Sequence, residues 1–440
     1  MLSLFSIAVL TLIWAWTLTP LCAQPLTRPI ITILKPDRVF DGNVVHEGWS
    51  VAIRDSLIMF VGASEQLASA LPTFRAPSDS VQTLKLAGMT LLPGFIEGHS
   101  HVLLHPYNET SWDDQVLRES RAERIARATV HLQKTLMAGF TTIRDLGTEG
   151  ALFDDVGLKR SIEKGVLQGP RMIVAGRALV ATGSYGPKGF APEFANPLGA
   201  EEADGVDALI RAVRDQIGHG ADLVKVYADY RWGLAGDARP TYSTDEIKLI
   251  VETARSSGRG TVAHAATAEG MRRAVLAGVE TVEHGDGGTA EIFKLMAERG
   301  VALCPTLAAG DAIMQYRGWL KRSEAEPKRI QEKRVSFRAA LAAGVVICFG
   351  GDVGVFPHGD NAREMELMVD YGMKPVDVLR SATSVNARIF HLEKMVGSIA
   401  TGLLGDIVCV EGNPADTISA VRNVRFVMKN GVIVKSVLVR

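Results

Sequence analysis

The chain has 440 residues, more than most single domains, yet within reach of one barrel-sized unit of about 250 residues with a smaller companion. Hydrophobic residues make up 47% and charged residues 22%, enough apolar material for a large core. Lys and Arg (48) balance Asp and Glu (49), which argues against a polyelectrolyte partner such as nucleic acid.

Residues 1–23, MLSLFSIAVLTLIWAWTLTPLCA, carry no charged side chain and end in small residues around Cys22 and Ala23, the pattern of a signal peptide before its cleavage site. The expected location is periplasmic or extracellular, with no stable membrane partner once the segment is removed. An uncleaved anchor helix is the alternative, because no Lys or Arg precedes the apolar run. Cys304, Cys348 and Cys409 lie in apolar stretches such as VALCPT and VVICFGG, and read as small buried hydrophobes rather than a disulfide framework or a nucleophile.

From 24 to 88 the chain is strand-like (ITILKPDRVFDGN, WSVAIRD, LIMFVGA), punctuated by Asp-Gly and Gly turns. Between 89 and 397, short apolar runs alternate with amphipathic stretches of helical length. The strand candidates are LLPGFIEGH, TTIRDLG, RMIVAG, LVKVYAD, TVAHAAT, TVEHGD, ALCPTL and VICFGGD, each followed by a plausible helix. Eight such units predict an α/β fold, a (β/α)8 TIM-like barrel. Residues 398–440 return to strands (GDIVCVEGN, VRFVMKNG, VIVKSVLV), and the two ends are expected to build one small β-domain together.

The polar residues fall on the predicted strands. His99 and His101 end the first, Lys225 lies in the fourth, His264 in the fifth, His284 in the sixth, and Asp352 ends the eighth. Catalytic residues of a barrel gather at the C-terminal ends of its strands, so these six can converge. His99 and His101, two apart, point to one face and can grip one cation; His264 and His284, one βα unit apart, offer a second nitrogen pair, and Asp352 adds a carboxylate. An ammonium cannot bind a cation, so an inward Lys225 must be paired or neutral. A neutral lysine can take up carbon dioxide, and the resulting carbamate would bridge two metal ions.

LLPGFIEGHSH, the lysine of LVKVYAD, VAHAAT, TVEHG and FGGD resemble the successive motifs of the amidohydrolase superfamily, over almost the whole chain after residue 23. The chain is similar to the branch of imidazolonepropionase-related proteins, which includes Xaa-Pro dipeptidases, a carboxypeptidase and enzymes that cleave N-acyl amino acids such as ochratoxin. The resemblance implies a β-sandwich from the two chain ends and two divalent metal ions, zinc by default. His99, His101 and Asp352 would hold one ion and His264 and His284 the other, with carboxylated Lys225 between them. It further implies attack by a metal-bridging hydroxide on the amide of a dipeptide or N-acyl amino acid, with Asp352 moving the proton.

Four residues are candidates for contact with this small-molecule or short-peptide substrate. Tyr227 shares a strand face with Lys225, and the branch's peptidases place a tyrosine near the substrate carboxylate. Arg144 offers a bidentate grip on a carboxylate or an internal Arg–Asp bridge. His358, in FPHGDNARE, touches substrate or braces its loop. Tyr185 stands in ATGSYG, where many branch members have Gly-Gly-His. Alternatives are hydrolysis of a cyclic amide, lactone or ester on the same site, deamination, which is disfavoured because Thr267 occupies the position of the required glutamate, and a non-catalytic binding role. Branch members often assemble as homo-oligomers.

Overall fold

The computed structural model describes residues 30–191 and 193–437. The segment 1–23, read as a leader, lies outside them. Among the described residues no helix is long and apolar enough to cross a membrane.

The fold is α/β. Strands from both chain ends share one mixed sheet in the order Val432–Ser436, Val424–Lys429, Ile407–Glu411, Ser80–Pro93, Ile30–Phe40, Trp49–Arg54, Leu57–Ala63. The ends meet at its centre, where Ile407–Glu411 runs antiparallel to Ser80–Pro93 with Cys409 opposite Leu91. One face of this sheet buries Leu34, Val39, Leu91, Ile407, Cys409 and Phe426 together. Asn430 and Gly431 both have positive φ, +49° and +75°, as a two-residue type I′ hairpin turn requires.

The middle of the chain supplies parallel strands. Phe95–Ser100, Phe140–Asp145 and Arg171–Val174 pair in that order, and Val224–Tyr227, Thr261–Ala265, Thr281–His284 and Ala302–Cys304 form a second run. The runs are linked where the amide of Asp222 donates to Val174 O at 2.7 Å. Helices separate the strands and begin where the sequence provides caps: Ser243 and Glu246 form a reciprocal capping box at Thr244–Arg255, and Thr267 caps Ala268–Ala277. Gly220, Gly278 and Gly300 end their helices in the left-handed conformation.

Seven of the eight expected parallel strands are present. The eighth, VICFGGD, makes only isolated bridges, Ile347 with Leu303 on one side and Val353 with Ser100 on the other. Two features explain the departure. A Cβ on Gly350 would lie 2.7 Å from the amide nitrogen of His99, so the chain passes too close for a side chain. The Asn386 side chain takes over ladder bonds, accepting from Phe349 N at 3.1 Å and donating to Phe349 O at 2.8 Å and Ile96 O at 3.0 Å. The three cysteines are buried and free, as read from the sequence.

Gly431 packs on the turn that follows the strand Trp49–Arg54: a Cβ there would run into the Asp55 carbonyl. Gly48, also left-handed at +67°, has open space around it. Gly431→Ala should therefore lose about 3 kcal/mol or more of stability through steric conflict plus strain, and Gly48→Ala about 1 kcal/mol through strain alone. Denaturant midpoints check this; equal losses would put the whole cost on the dihedral angle.

Candidate active site

All four predicted histidines and Asp352 line one cavity of about 460 Å3. His99 and His101 leave the same strand on the same side, with ring centroids 5.3 Å apart. Their outer nitrogens are occupied by protein: His99 Nδ1 meets Glu283 Oε2 at 2.8 Å, and His101 Nδ1 meets Gly147 O at 2.9 Å. Both Nε2 atoms therefore face inward, 3.6 and 3.4 Å from Asp352 Oδ1. His99, His101 and Asp352 can each bring a ligand atom within 4.8 Å of the others, a spacing suited to one shared cation.

The second pair sits beside the first. His264 and His284 are 4.4 Å apart by ring centroid, and His284 is 5.1 Å from His99. His284 Nδ1 is held by Thr306 Oγ1 at 2.8 Å, while His264 Nε2 lies 3.7 Å from Asp229. Glu283 and His284 are adjacent in sequence yet both reach the cluster, which a regular strand forbids. The left-handed backbone at His284, φ +74°, breaks the alternation, and Asp352 is turned by a similar φ of +63°.

Burial disfavours the charged form of three of these imidazoles. His99 and His284 sit well below the usual histidine range, and His264 is pushed down to about 3, in each case chiefly by desolvation, with Lys225 adding repulsion. Neutral imidazole is the form that ligates a metal. Asp352 is raised to about 6 by burial, opposed by His101 and Lys225.

Lys225 is 1% exposed, and its amine is biased toward the neutral form by desolvation, partly offset by Glu283 and Asp352. Its Nζ makes no side-chain hydrogen bond among the described residues and lies 5.6 Å from the Tyr227 ring centroid. A buried amine without an acceptor is unusual. The chemistry of this donor set fits divalent cations: imidazole nitrogens, one carboxylate and an amine biased toward its neutral form.

The residues expected at the substrate divide. Tyr227 and Tyr185 line the cavity, with Tyr227 stacked on His264 at 4.5 Å. The Tyr185 hydroxyl donates to Glu149 Oε2 at 2.6 Å, so its proton is already committed. Arg144 and His358 are not among the lining residues. The Arg144 guanidinium is consumed inside, donating to Gly98 O at 2.7 Å, Thr281 Oγ1 at 3.2 Å and Glu283 Oε1 at 2.8 Å. His358 stacks on His131 and meets Leu104 O at 3.1 Å, bracing the loop after His101.

Sequence reasoning missed the acids that hold the cluster. Glu283 joins Arg144 to His99. Glu97, its pKa raised to about 7 by burial, accepts from the amides of His99 (3.0 Å) and Gly351 (2.9 Å) and from Asn361 (2.8 Å). Glu149 and the cations Arg231, Arg317, Arg329 and Lys333 also line the cavity. The usable signal was an acid inside an apolar strand within two residues of a histidine, Glu97 in FIEGHSH and Glu283 in TVEHG. The group His99, Glu283 and Cys304 is also close enough to bind an ion, but Arg144 already neutralises its carboxylate.

Inward-facing imidazoles and a carboxylate, gathered where parallel strands end on an α/β scaffold, suit a metal-dependent hydrolase, here one acting on amide bonds. The chain belongs to the amidohydrolase family, whose model matches residues 90–434. It is 28% identical over 402 residues to ochratoxinase of Aspergillus niger, covering 84% of this chain and 78% of that one. Among solved structures it is similar to a Xaa-Pro dipeptidase with bound methionine in the active site (TM-score 0.79, 28% identity, 92% of this chain and 100% of that one). It is also similar to a prolidase complexed with N-methylphosphonate-L-proline (TM-score 0.77, 29% identity, 92% and 100%).

Glu283→Gln should weaken metal retention about 10–100-fold, because a partner behind a ligating histidine sets its orientation and basicity. It should also cost about 3–5 kcal/mol by leaving Arg144 short of its counter-ion. Metal content after dialysis and the unfolding midpoint measure both; a variant unchanged in each would remove Glu283 from this role.

Proposed function

We propose that the protein is a binuclear metal-dependent amidohydrolase that cleaves the amide bond of a dipeptide or N-acyl amino acid. The observation that carries this reading is the convergence of six residues from five separate segments on one region: four histidines, Asp352 and the unpartnered Lys225. The activities of the relatives, ochratoxinase, Xaa-Pro dipeptidase and prolidase, support an acyl–amino acid bond as the target.

In this reading residues 89–397 form a (β/α)8 barrel. The succession of parallel pairings supports it, closing through the bridges of Ile347 and Val353. Residues 24–88 and 398–440 form the accompanying β-sandwich, and 1–23 direct export. His99, His101 and Asp352 would hold one divalent ion, His264 and His284 the other, with Lys225 between them as its carbamate and zinc as the metal. When bound, the ions would polarise the scissile carbonyl and acidify water.

The chain's own groups do the rest. Asp352, whose carboxylate faces His99 and His101, accepts the proton released in the attack and passes it to the leaving amine. Tyr227, stacked on His264, flanks the acyl group. Arg231 and Arg317 line the cavity and make no side-chain ion pair among the described residues, which suits them to the substrate carboxylate. Thr267, where a deaminase would need an acid, caps its helix and donates to Asp229 at 2.6 Å, which favours hydrolysis over deamination.

Metal-reconstituted protein should hydrolyse members of a panel of dipeptides and N-acyl amino acids and contain about two ions per chain; no turnover across the panel would reject the reading. Lys225→Ala should lose metal and activity and regain both with a short carboxylic acid, whereas full metal content in the alanine variant would eliminate the carbamate. Asp352→Asn should stay folded and lose at least about 100-fold in kcat, and near-normal turnover would remove it as the proton carrier.

A further inference from the structure

Three acids line the cavity, and two have evident partners. Asp352 faces His99 and His101, and Asp286 is neutralised by Lys333 with Arg329 at 3.7 Å. Glu149 differs. It is 3% exposed, and its Oε2 accepts from both Tyr185 OH at 2.6 Å and Trp112 Nε1 at 2.9 Å. Its Oε1 receives no hydrogen bond among the described residues. The nearby His101 Nδ1, 3.9 Å away, is already committed to Gly147 O.

The surroundings fix this oxygen in place. Glu149 has a left-handed backbone, φ +50°, a conformation that costs a non-glycine residue about 1–3 kcal/mol. Arg124 pins its carbonyl at 2.8 Å, and the remaining Arg124 donors go to the carbonyls of Leu103 and Thr148 rather than to the carboxylate. Tyr185 packs against Tyr227 and Tyr230, at 4.8 and 4.7 Å between ring centroids, and all three line the cavity. A rigid carboxylate with one uncommitted oxygen beside aromatic faces is built to receive a cation. An uncharged acyl chain would leave that oxygen without a donor, which is costly at a buried site.

We propose that Glu149 is a specificity-determining residue that takes the α-ammonium of the substrate's N-terminal residue on Oε1, flanked by Tyr185, Tyr227 and Tyr230, so that free dipeptides are preferred to N-acylated amino acids. The proposal rests on the amide-hydrolase reading. The α-nitrogen of a dipeptide is two bonds from the scissile carbonyl carbon, and Glu149 Oε1 lies 3.9 Å from His101 Nδ1 on the wall of the same cavity.

The test compares the best dipeptide of the panel with the same dipeptide acetylated on its amine, using metal-reconstituted protein. Wild type should favour the free amine by at least about 10-fold in kcat/KM. Glu149→Gln keeps an acceptor for Tyr185 and Trp112 but loses the charge. It should reduce that preference by about 10–100-fold, chiefly through KM of the free dipeptide. An equal loss on both substrates, the signature of a residue that merely orients His101, would overturn the proposal, as would a wild-type preference for the acetylated form. Should the variant misfold, calorimetric binding of a free amino acid amide and its N-acetyl form to wild type decides, with tighter binding of the free amine supporting the assignment and equal or weaker binding overturning it. This readout does not require turnover, so it remains decisive even where the hydrolase reading fails.

Discussion

One buried carboxylate organises the centre of this molecule. Glu283, with no exposed surface, gives one oxygen to the Arg144 guanidinium and the other to His99 Nδ1. Neither a lone carboxylate nor a lone guanidinium would be stable there, since each loses several kcal/mol of hydration, but together they neutralise one another. Arg144 also donates to Gly98 O, so the strands Phe95–Ser100, Phe140–Asp145 and Thr281–His284 are tied through the interior by side chains as well as by their ladders. The same contact sets the His99 tautomer and aims its free nitrogen into the cavity. The aim of His99 and the stability of the core thus depend on one group.

The backbone around the cavity is held in conformations that side chains normally avoid. Glu149, His284, Thr306 and Asp352 all have positive φ and all line it. Each costs about 1–3 kcal/mol and persists only where neighbours over-determine it. The neighbours are visible: Thr306 holds His284, Arg124 holds the Glu149 carbonyl, and Val353, next to Asp352, donates to His99 O and accepts from His101 N. Strain at these positions is what lets consecutive residues face the same way.

This explains which parts of the architecture could be read from the residues alone. His99 and His101 were legible because their spacing of two is the strand period, and the βα alternation was legible because burial imposes a hydrophobic period. Glu283 was not, because a strand should send it away from the side on which His284 works. Arg144 suggested a substrate grip because a guanidinium's partners are invisible until distant strands meet; its acceptors come from positions 98, 281 and 283. The eighth strand departs from expectation for a related reason, since Asn386, outside the motif, supplies bonds that a regular ladder would have made.

The mixed sheet shared by the two ends has a temporal consequence. Its central pairing joins Ser80–Pro93 to Ile407–Glu411, more than 300 positions apart. During synthesis the early strands therefore wait, with an open edge, until almost the entire polypeptide has emerged, and such an edge invites pairing with other chains. If the protein is exported, threading it unfolded across a membrane would keep those strands from associating prematurely, and the last strands to arrive would close the sheet. The molecule's two ends thus serve as a completion check: a chain cut short before Ile407 lacks the strand that covers Ser80–Pro93.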